Sequence, residues 1–366
     1  MVSQAKRCTR CILPDSFPNI AFDDAGVCNE CHKYERRWND LDLVKSEKYI
    51  TDVFETAKSK KNKYDCIMGF SGGKDSSYAI YLCTQKYKMK PLCVTFDNGF
   101  ISKDASANIK KLTTKLNVDH IFVKPDWELL KRLYRHFLLT TGEFCTTCNI
   151  GITSSLYDTA NKYGIPLIIS GFSPRTDAYT VNSMYHISAE YFYNVTKGHF
   201  AKNEIKDFLH STTTIRALNH LTGRIRYITL PLYIEWDEDK MIKVLEKELA
   251  WKVNAAITTE HTDCIASGLK EYLRIKEFGF SEKTIKFSVS IRNGSMNREE
   301  ALAKVKAFEA SKMADESGLM HKVLKMLDIS EQELAEATNK RQKAYIPGFA
   351  KLLEKDTLMK KLYYKY

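Results

Sequence analysis

The stretch Asp65-Cys66-Ile67-Met68-Gly69-Phe70-Ser71-Gly72-Gly73-Lys74-Asp75-Ser76-Ser77 decides how the rest of the chain is read. Cys66 to Phe70 is a short apolar run with the length of a buried strand. Tyr78 to Tyr87 carries Ile80, Tyr81, Cys83 and Tyr87 at helical spacing. The segment is therefore strand, tight loop, helix. Two glycines let the backbone turn sharply and bring N–H groups close to an anion. The helix start adds its dipole and free N–H groups. Lys74 adds a mobile charge, and three serine hydroxyls can donate hydrogen bonds. Such a loop suits a phosphate or pyrophosphate.

Outward from the loop, β and α patterns alternate. Strands are expected at 65–70, 91–97, 119–124 and 166–170, with a fifth inside 225–230. Helices fit 75–88, 103–117, 126–139, 146–163 and 237–251, and a lead-in helix fits 41–63. This alternation predicts an α/β fold, a parallel sheet with helices on both faces. Ligands of such sheets sit at the carboxyl ends of strands. The loop at 71–77, Asp97-Asn98 and the run from Gly171 to Asp177 all follow strands, so they can share one cleft. Residues 178–222 have weak periodicity and suit a substrate-binding insertion, a lid or an oligomer contact. From 261 onward the chain reads as mainly helical, with helix starts at Asn297/Glu300 and Ser330/Glu333.

The chain has 366 residues, 44% apolar and 28% charged, with ten cysteines and a net charge of +11. That is enough for two or three domains. We divide it at 1–40, 41–255 and 256–366. No apolar run approaches the ~20 residues that span a bilayer. Met1 to Cys11 lacks the apolar core of a signal peptide, so a cytoplasmic protein is expected. The basic balance suits anionic partners without choosing among them.

Six cysteines form three Cys-x2-Cys pairs, a pattern that in a reducing compartment favours metal. Cys8/Cys11 and Cys28/Cys31 are separated by sixteen residues. That spacing predicts a four-cysteine structural zinc site holding a small knuckle. His32 reads as a bystander. Cys66, Cys83 and Cys93 read as small buried hydrophobes. Cys145 and Cys148 open a predicted helix, where thiolates would be stabilised. Cys264 could be a third ligand beside them.

Ser-Gly-Gly-Lys-Asp-Ser at 71–76 resembles the pyrophosphate loop of the N-type ATP pyrophosphatases, which split ATP between its α- and β-phosphates and adenylate a carbonyl oxygen. Ile168-Ile169-Ser170-Gly171 with Asp177 resembles that family's second nucleotide segment. Ile228-Thr229-Leu230-Pro231-Leu232 resembles its Arg-Pro-Leu segment, with Leu230 in place of the usual arginine. The resemblance implies an adenine-nucleotide hydrolase-like fold. Over nearly its whole length the chain most resembles the N-acetyl sugar amidotransferases of bacterial surface-polysaccharide and nonulosonic acid biosynthesis. The residues that carry this are the four-cysteine N-terminus, the loop, Cys145 to Cys148, and the segments Phe278-Gly279-Phe280, Ser290 to Gly294 and Arg298 to Ala301.

What the resemblance implies is an ATP-dependent amidotransferase. Its substrate would be an acetamido sugar, nucleotide-linked. Ammonia would come from a separate glutaminase subunit, often accompanied by a cyclase-like one. Ser71, Gly72, Gly73, Ser76 and Ser77 would hold the departing pyrophosphate. Lys74 would neutralise it, and Asp75 would help place Mg2+. Asp97 and Asn98 would touch the adenosine or form a strand-end turn. Gly171 would belong to the nucleotide site, and Asp177 would contact magnesium or ribose, or cap a helix. Arg175, Lys286, Arg292 and Arg298 are candidates for the sugar-nucleotide phosphates. Cys145, Cys148 and Cys264 also resemble the three-cysteine [4Fe-4S] site of tRNA-thiolating relatives. A cluster, a second zinc and no metal all remain open there. The alternative function is tRNA thiolation; otherwise nucleic acid is not an expected partner.

Overall fold

The computed structural model describes residues 6–172, 175, 187–210, 212–252, 263–337 and 345–346. Two helices lead in, α1 (Asn29–Trp38) and α2 (Leu43–Ser59). The alternating region follows: β1 (Cys66–Gly69), α3 (Lys74–Tyr81), β2 (Pro91–Phe96), α4 (Lys103–Leu116), β3 (Asp119–Val123), α5 (Trp127–Thr141), α6 (Cys145–Tyr163) and β4 (Leu167–Ser170). After it come α7 (Ala189–Thr196), α8 (Lys202–Ile205), α9 (Thr213–Leu221), β5 (Arg226–Thr229) and α10 (Glu238–Leu249). The C-terminal region is helical: α11 (Ser267–Phe278), α12 (Glu282–Arg292), α13 (Arg298–Met313), α14 (Leu319–Met326) and α15 (Glu331–Ala337).

The five strands pair in parallel in the order β3-β2-β1-β4-β5. Successive side chains of a strand point to opposite faces, and here both faces are covered. Met68, Cys93, Ile169 and Ile228 pack with Ile50, Phe54, Ile109, Leu112, Met241 and Leu245 of α2, α4 and α10. Ile67, Leu92, Val94 and Ile168 pack with Leu156, Tyr157 and Ala160 of α6. Cys66, Cys83 and Cys93 are fully buried in the first of these layers, as small hydrophobes would be. Burial on both sides explains why β1, β2 and β4 read as continuous apolar runs.

The expected helix at 75–88 is shorter. It gives way at Leu82–Lys86 to a π-helical turn. In that turn the Thr84 hydroxyl bonds back to the Ile80 and Tyr81 carbonyls, competing with the ladder. The helix starts read from the sequence are present. Asn297 accepts from the Glu299 and Glu300 N–H groups. Ser330 and Glu333 cap each other reciprocally. Helix α1 starts within the second cysteine pair, directly after Cys28, and had no counterpart in the sequence reading. No helix among the described residues is long and apolar enough to cross a membrane.

A third core layer shows how the C-terminal helices attach. Leu133, Phe137, Phe144 and Ile150 of α5, α6 and their junction pack with Leu269, Leu273, Val323, Leu324 and Leu334. The helical region thus shares its core with the α/β unit.

Candidate functional site

Strand β1 is central. The connections from it run to β2 and β3 on one side, and β4 and β5 lie on the other. The order therefore reverses at the carboxyl end of β1, the place where open parallel sheets bind ligands. The loop 71–77 lies there. Phe70 N–H donates to the Val94 carbonyl (2.8 Å), ending the strand. Gly72 takes φ 79°. A Cβ there would lie 2.4 Å from the Ala105 carbonyl oxygen, so only glycine fits. The Gly72 carbonyl is held from behind by the Trp251 indole N–H (3.0 Å) and the Asn108 amide (3.3 Å). Gly73 caps α3 without a side-chain bond. The first N–H groups of the helix thus face the cavity with their dipole.

This cavity holds about 390 Å3 and is lined by Ser71, Gly73, Lys74, Asp75 and Ser76, by Asn98, and by Ser170 and Gly171. Ser71 and Ser76 hydroxyls bond each other at 3.1 Å. Lys74 Nζ lies 2.7 Å from Asp75 Oδ2. The Trp236 indole N–H reaches the other Asp75 oxygen at 3.4 Å. Ser77 does not join them; it is fully buried and its hydroxyl finds no partner among the described residues. Gly171 meets the start of α3 closely: a Cβ there would lie 2.6 Å from the Asp75 carbonyl oxygen. Asp97 turns back, accepting from the Gly99 N–H (3.1 Å) in a strand-end turn. Asp177 lies outside the described residues.

The opposite wall comes from the third cysteine pair and the C-terminal region. Cys145, Cys148, Asp263, Cys264, Ser267, Lys270, Glu282 and Lys286 line it. Asn98 Nδ2 donates to Cys148 Sγ (3.4 Å) and Cys264 Sγ (4.0 Å). Asn98 thus addresses sulfur. The expectation that the start of α6 stabilises thiolates is outweighed here. Burial pushes the Cys148 thiol up to about 12, against the Asn98 hydrogen bond and the charge of Lys270. Burial likewise takes Cys264 up to about 12, with Lys270 again opposing. The three sulfurs do not gather within 4.8 Å of one another, whereas the four N-terminal ones do. Zinc with Zn–S bonds of about 2.3 Å needs sulfurs about 3.8 Å apart.

The N-terminal four fit a single tetrahedral ion. Cys8–Cys31, Cys11–Cys28 and Cys28–Cys31 sulfurs are 3.9, 3.7 and 3.6 Å apart, and all four residues are fully buried. Cys11 and Cys28 N–H groups donate to Cys8 Sγ at 3.4 and 3.2 Å, a bond that favours thiolate. His32 stays outside, bonded to Asp23 and Glu35.

Three arginines considered for sugar-nucleotide phosphates are engaged elsewhere. Arg292 donates to Cys31 Sγ (3.3 Å) and Cys11 Sγ (3.4 Å). Burial works against its charge, and the cysteine sulfurs more than offset that, raising its pKa. Arg298 donates to the Cys11 and Cys8 carbonyls. Arg175 donates to the Pro231 and Ile234 carbonyls. Lys286 alone of the four faces the cavity. The sequence reading missed Trp236, Trp251, Asn108, Glu238 and Lys270. Trp251 lies 179 residues from the carbonyl it holds, and no local pattern carries such a contact.

Fold and site together define an α/β protein with a glycine-rich strand-to-helix loop at the switch point of a parallel sheet and a metal-competent four-cysteine knuckle. Residues 255–351 match a family model described as LPS biosynthesis protein WbpG-like, C-terminal domain. An uncharacterized protein of Methanocaldococcus jannaschii is 23% identical over 296 residues, covering 81% of this chain and 91% of that protein. Among solved structures, the NMN synthetase from Francisella tularensis is similar at 12% identity and TM-score 0.38, over 75% of this chain and 96% of that one. The U34-tRNA thiolase NcsA from Methanococcus maripaludis, with its [4Fe-4S] cluster, is similar at 15% identity and TM-score 0.36, over 90% of each chain.

Proposed function

We propose that the protein is an ATP-dependent, AMP-forming amidotransferase acting on an acetamido sugar in surface-polysaccharide biosynthesis. The observation that carries the reading is the loop 71–76 at the carboxyl end of β1, opening into a cavity whose far wall is shared by the third cysteine pair and the C-terminal region. The match of that region to a lipopolysaccharide-biosynthesis family supports the substrate class.

The chemistry follows from the groups present. An acetamido oxygen is a poor leaving group. Transfer of AMP to it, with loss of pyrophosphate, makes it a good one; ammonia adds at carbon and AMP departs, leaving an acetamidino group. Ser71, Gly73, Ser76 and the free N–H groups of α3 cradle the departing pyrophosphate. Lys74, now against Asp75, would turn to the phosphates, and Asp75, oriented by Trp236, would then be available to hold Mg2+. Cys8, Cys11, Cys28 and Cys31 would hold a zinc ion, which would supply structure. Ammonia comes from a separate glutaminase partner.

A second reading, tRNA thiolation with the same adenylation step, draws on the three open cysteines of the cavity wall. Cys145, Cys148 and Cys264 would hold the cluster, which would supply an iron site for sulfur. One experiment separates the two. The protein is incubated with ATP, ammonia and UDP- or CMP-linked acetamido sugars, and mass spectrometry follows AMP and the O-to-NH exchange. Thiolated tRNA without any exchanged sugar overturns the first reading. So does Lys74→Ala protein that releases pyrophosphate at the wild-type rate. RNA binding would also show a steep salt dependence that a sugar nucleotide would not.

A further inference from the structure

We propose that Lys286, delivered by the C-terminal helix α12, is a second phosphate-binding lysine for the β- and γ-phosphates of ATP, and that Glu238 holds its place until the nucleotide arrives. This rests on the ATP reading above and adds a ligand group from outside the α/β unit. Lys286 is 7% exposed and lines the cavity together with Lys74. Its Nζ donates to Glu238 Oε2 at 2.7 Å. The same oxygen lies 3.9 Å from Lys74 Nζ. One carboxylate oxygen thus stands between two ammonium groups, as an oxygen of a bound phosphate would.

The three groups differ in how they are held. Lys74 and Lys286 side chains are 13% and 9% exposed, whereas Glu238 is 43% exposed at the first position of α10. The carboxylate can rotate into solvent while the lysines remain. Burying an ammonium is costly unless an anion faces it. Glu238 provides that anion in the empty cleft, and a phosphate oxygen provides it in the filled one. Among the described residues Asp75 lies against Lys74 and Glu238 against Lys286. A triphosphate that approaches these lysines must displace those carboxylates or be repelled by them. Displacement frees Asp75 for magnesium and sends Glu238 outward. Cleavage between the α- and β-phosphates then places the new negative charge on pyrophosphate beside two lysines, where preorganised cations are most effective. A sugar-nucleotide phosphate has the same chemistry, but the oxygen shared with Lys74 assigns Lys286 to the phosphates that Lys74 holds.

The test is calorimetric titration of the full-length, zinc-loaded protein, with magnesium, using α,β-methylene-ATP, inorganic pyrophosphate, AMP and a UDP-linked acetamido sugar. Lys286→Met weakens α,β-methylene-ATP and pyrophosphate by about tenfold or more, the scale of a hydrogen bond to a charged group, and leaves AMP unchanged. Lys286→Arg retains most of the binding. Glu238→Gln, which removes the competing charge, tightens pyrophosphate several-fold. Equal losses for AMP and pyrophosphate in Lys286→Met would mean a structural role and overturn the proposal. A loss confined to the UDP sugar would assign Lys286 to the sugar substrate instead. If Lys286→Met does not fold, Glu238→Gln decides, and unchanged or weaker pyrophosphate binding there overturns the proposal. Wild-type protein that binds neither ATP analogue nor pyrophosphate overturns the ATP reading itself, and this inference with it.

Discussion

Gly171 has no room for a side chain. Besides the Asp75 carbonyl, a Cβ there would meet the Ala79 side chain at 3.3 Å. The contact fixes the distance between the end of β4 and the first turn of α3, and so fixes where Lys74 and Asp75 stand. Gly171→Ala should push α3 outward at a cost of about 1–3 kcal/mol. Its nucleotide binding should fall more than its melting temperature, and titration with ATP beside a thermal melt measures both. His120 makes a second point at this scale. Its Nε2 lies 2.8 Å from the Thr95 hydroxyl, which also bonds the Phe70 carbonyl just before the loop. Burial lowers its pKa to about 4. A histidine whose folded pKa is depressed favours the fold in its neutral form. Its contribution is full above the unfolded value near 6.5 and is lost as pH falls toward 4. Melting temperature should therefore drop across that window, and His120→Gln should lose part of the drop.

At the scale of elements, the strand-loop-helix at 65–81 was legible because its strand, its glycines and its helix start are contiguous. The knuckle was legible for the same reason; two local pairs set four ligands. Lys286 was visible as a phosphate candidate but its place beside Glu238 was not, since only the packing of α12 across the cleft puts it there. Arg292 was misread for the same reason. It sits at the other end of α12, and its role depends on a partner 261 residues away. Helix α12 therefore has Glu282 and Lys286 in the cleft and Arg292 on three of the four sulfurs. Four thiolates on one zinc would leave a net negative charge, which Arg292 would offset in a buried setting. Arg292→Met should release zinc to a chelator faster than wild type does, with a zinc-sensitive dye as the readout. Cys11→Ser should lose the metal outright.

For the whole molecule, alternation of β and α patterns foretold the parallel sheet, and both-sided burial made it readable. The way the C-terminal helices join was not readable. Their apolar stripes look like any amphipathic helix, and nothing in the stripe names the surface it covers. They cover α5 and α6, and they bring Asp263, Cys264, Lys270 and Lys286 to the cavity. A chain ending at residue 255 should expose Leu133, Phe137 and Ile150, stay poorly soluble and bind a hydrophobic dye. A well-folded, monomeric fragment would show that the shared core is dispensable.

The arginine contacts to the knuckle also bear on how the chain is made. Arg298 donates to the Cys8 carbonyl across 290 residues. A ribosome adding about 5–20 residues per second needs roughly 15–60 s to cover that interval. The knuckle emerges well before Arg292 and Arg298. Its cysteines must stay reduced and in order through most of synthesis, on the knuckle's own hydrogen bonds and whatever metal it would bind.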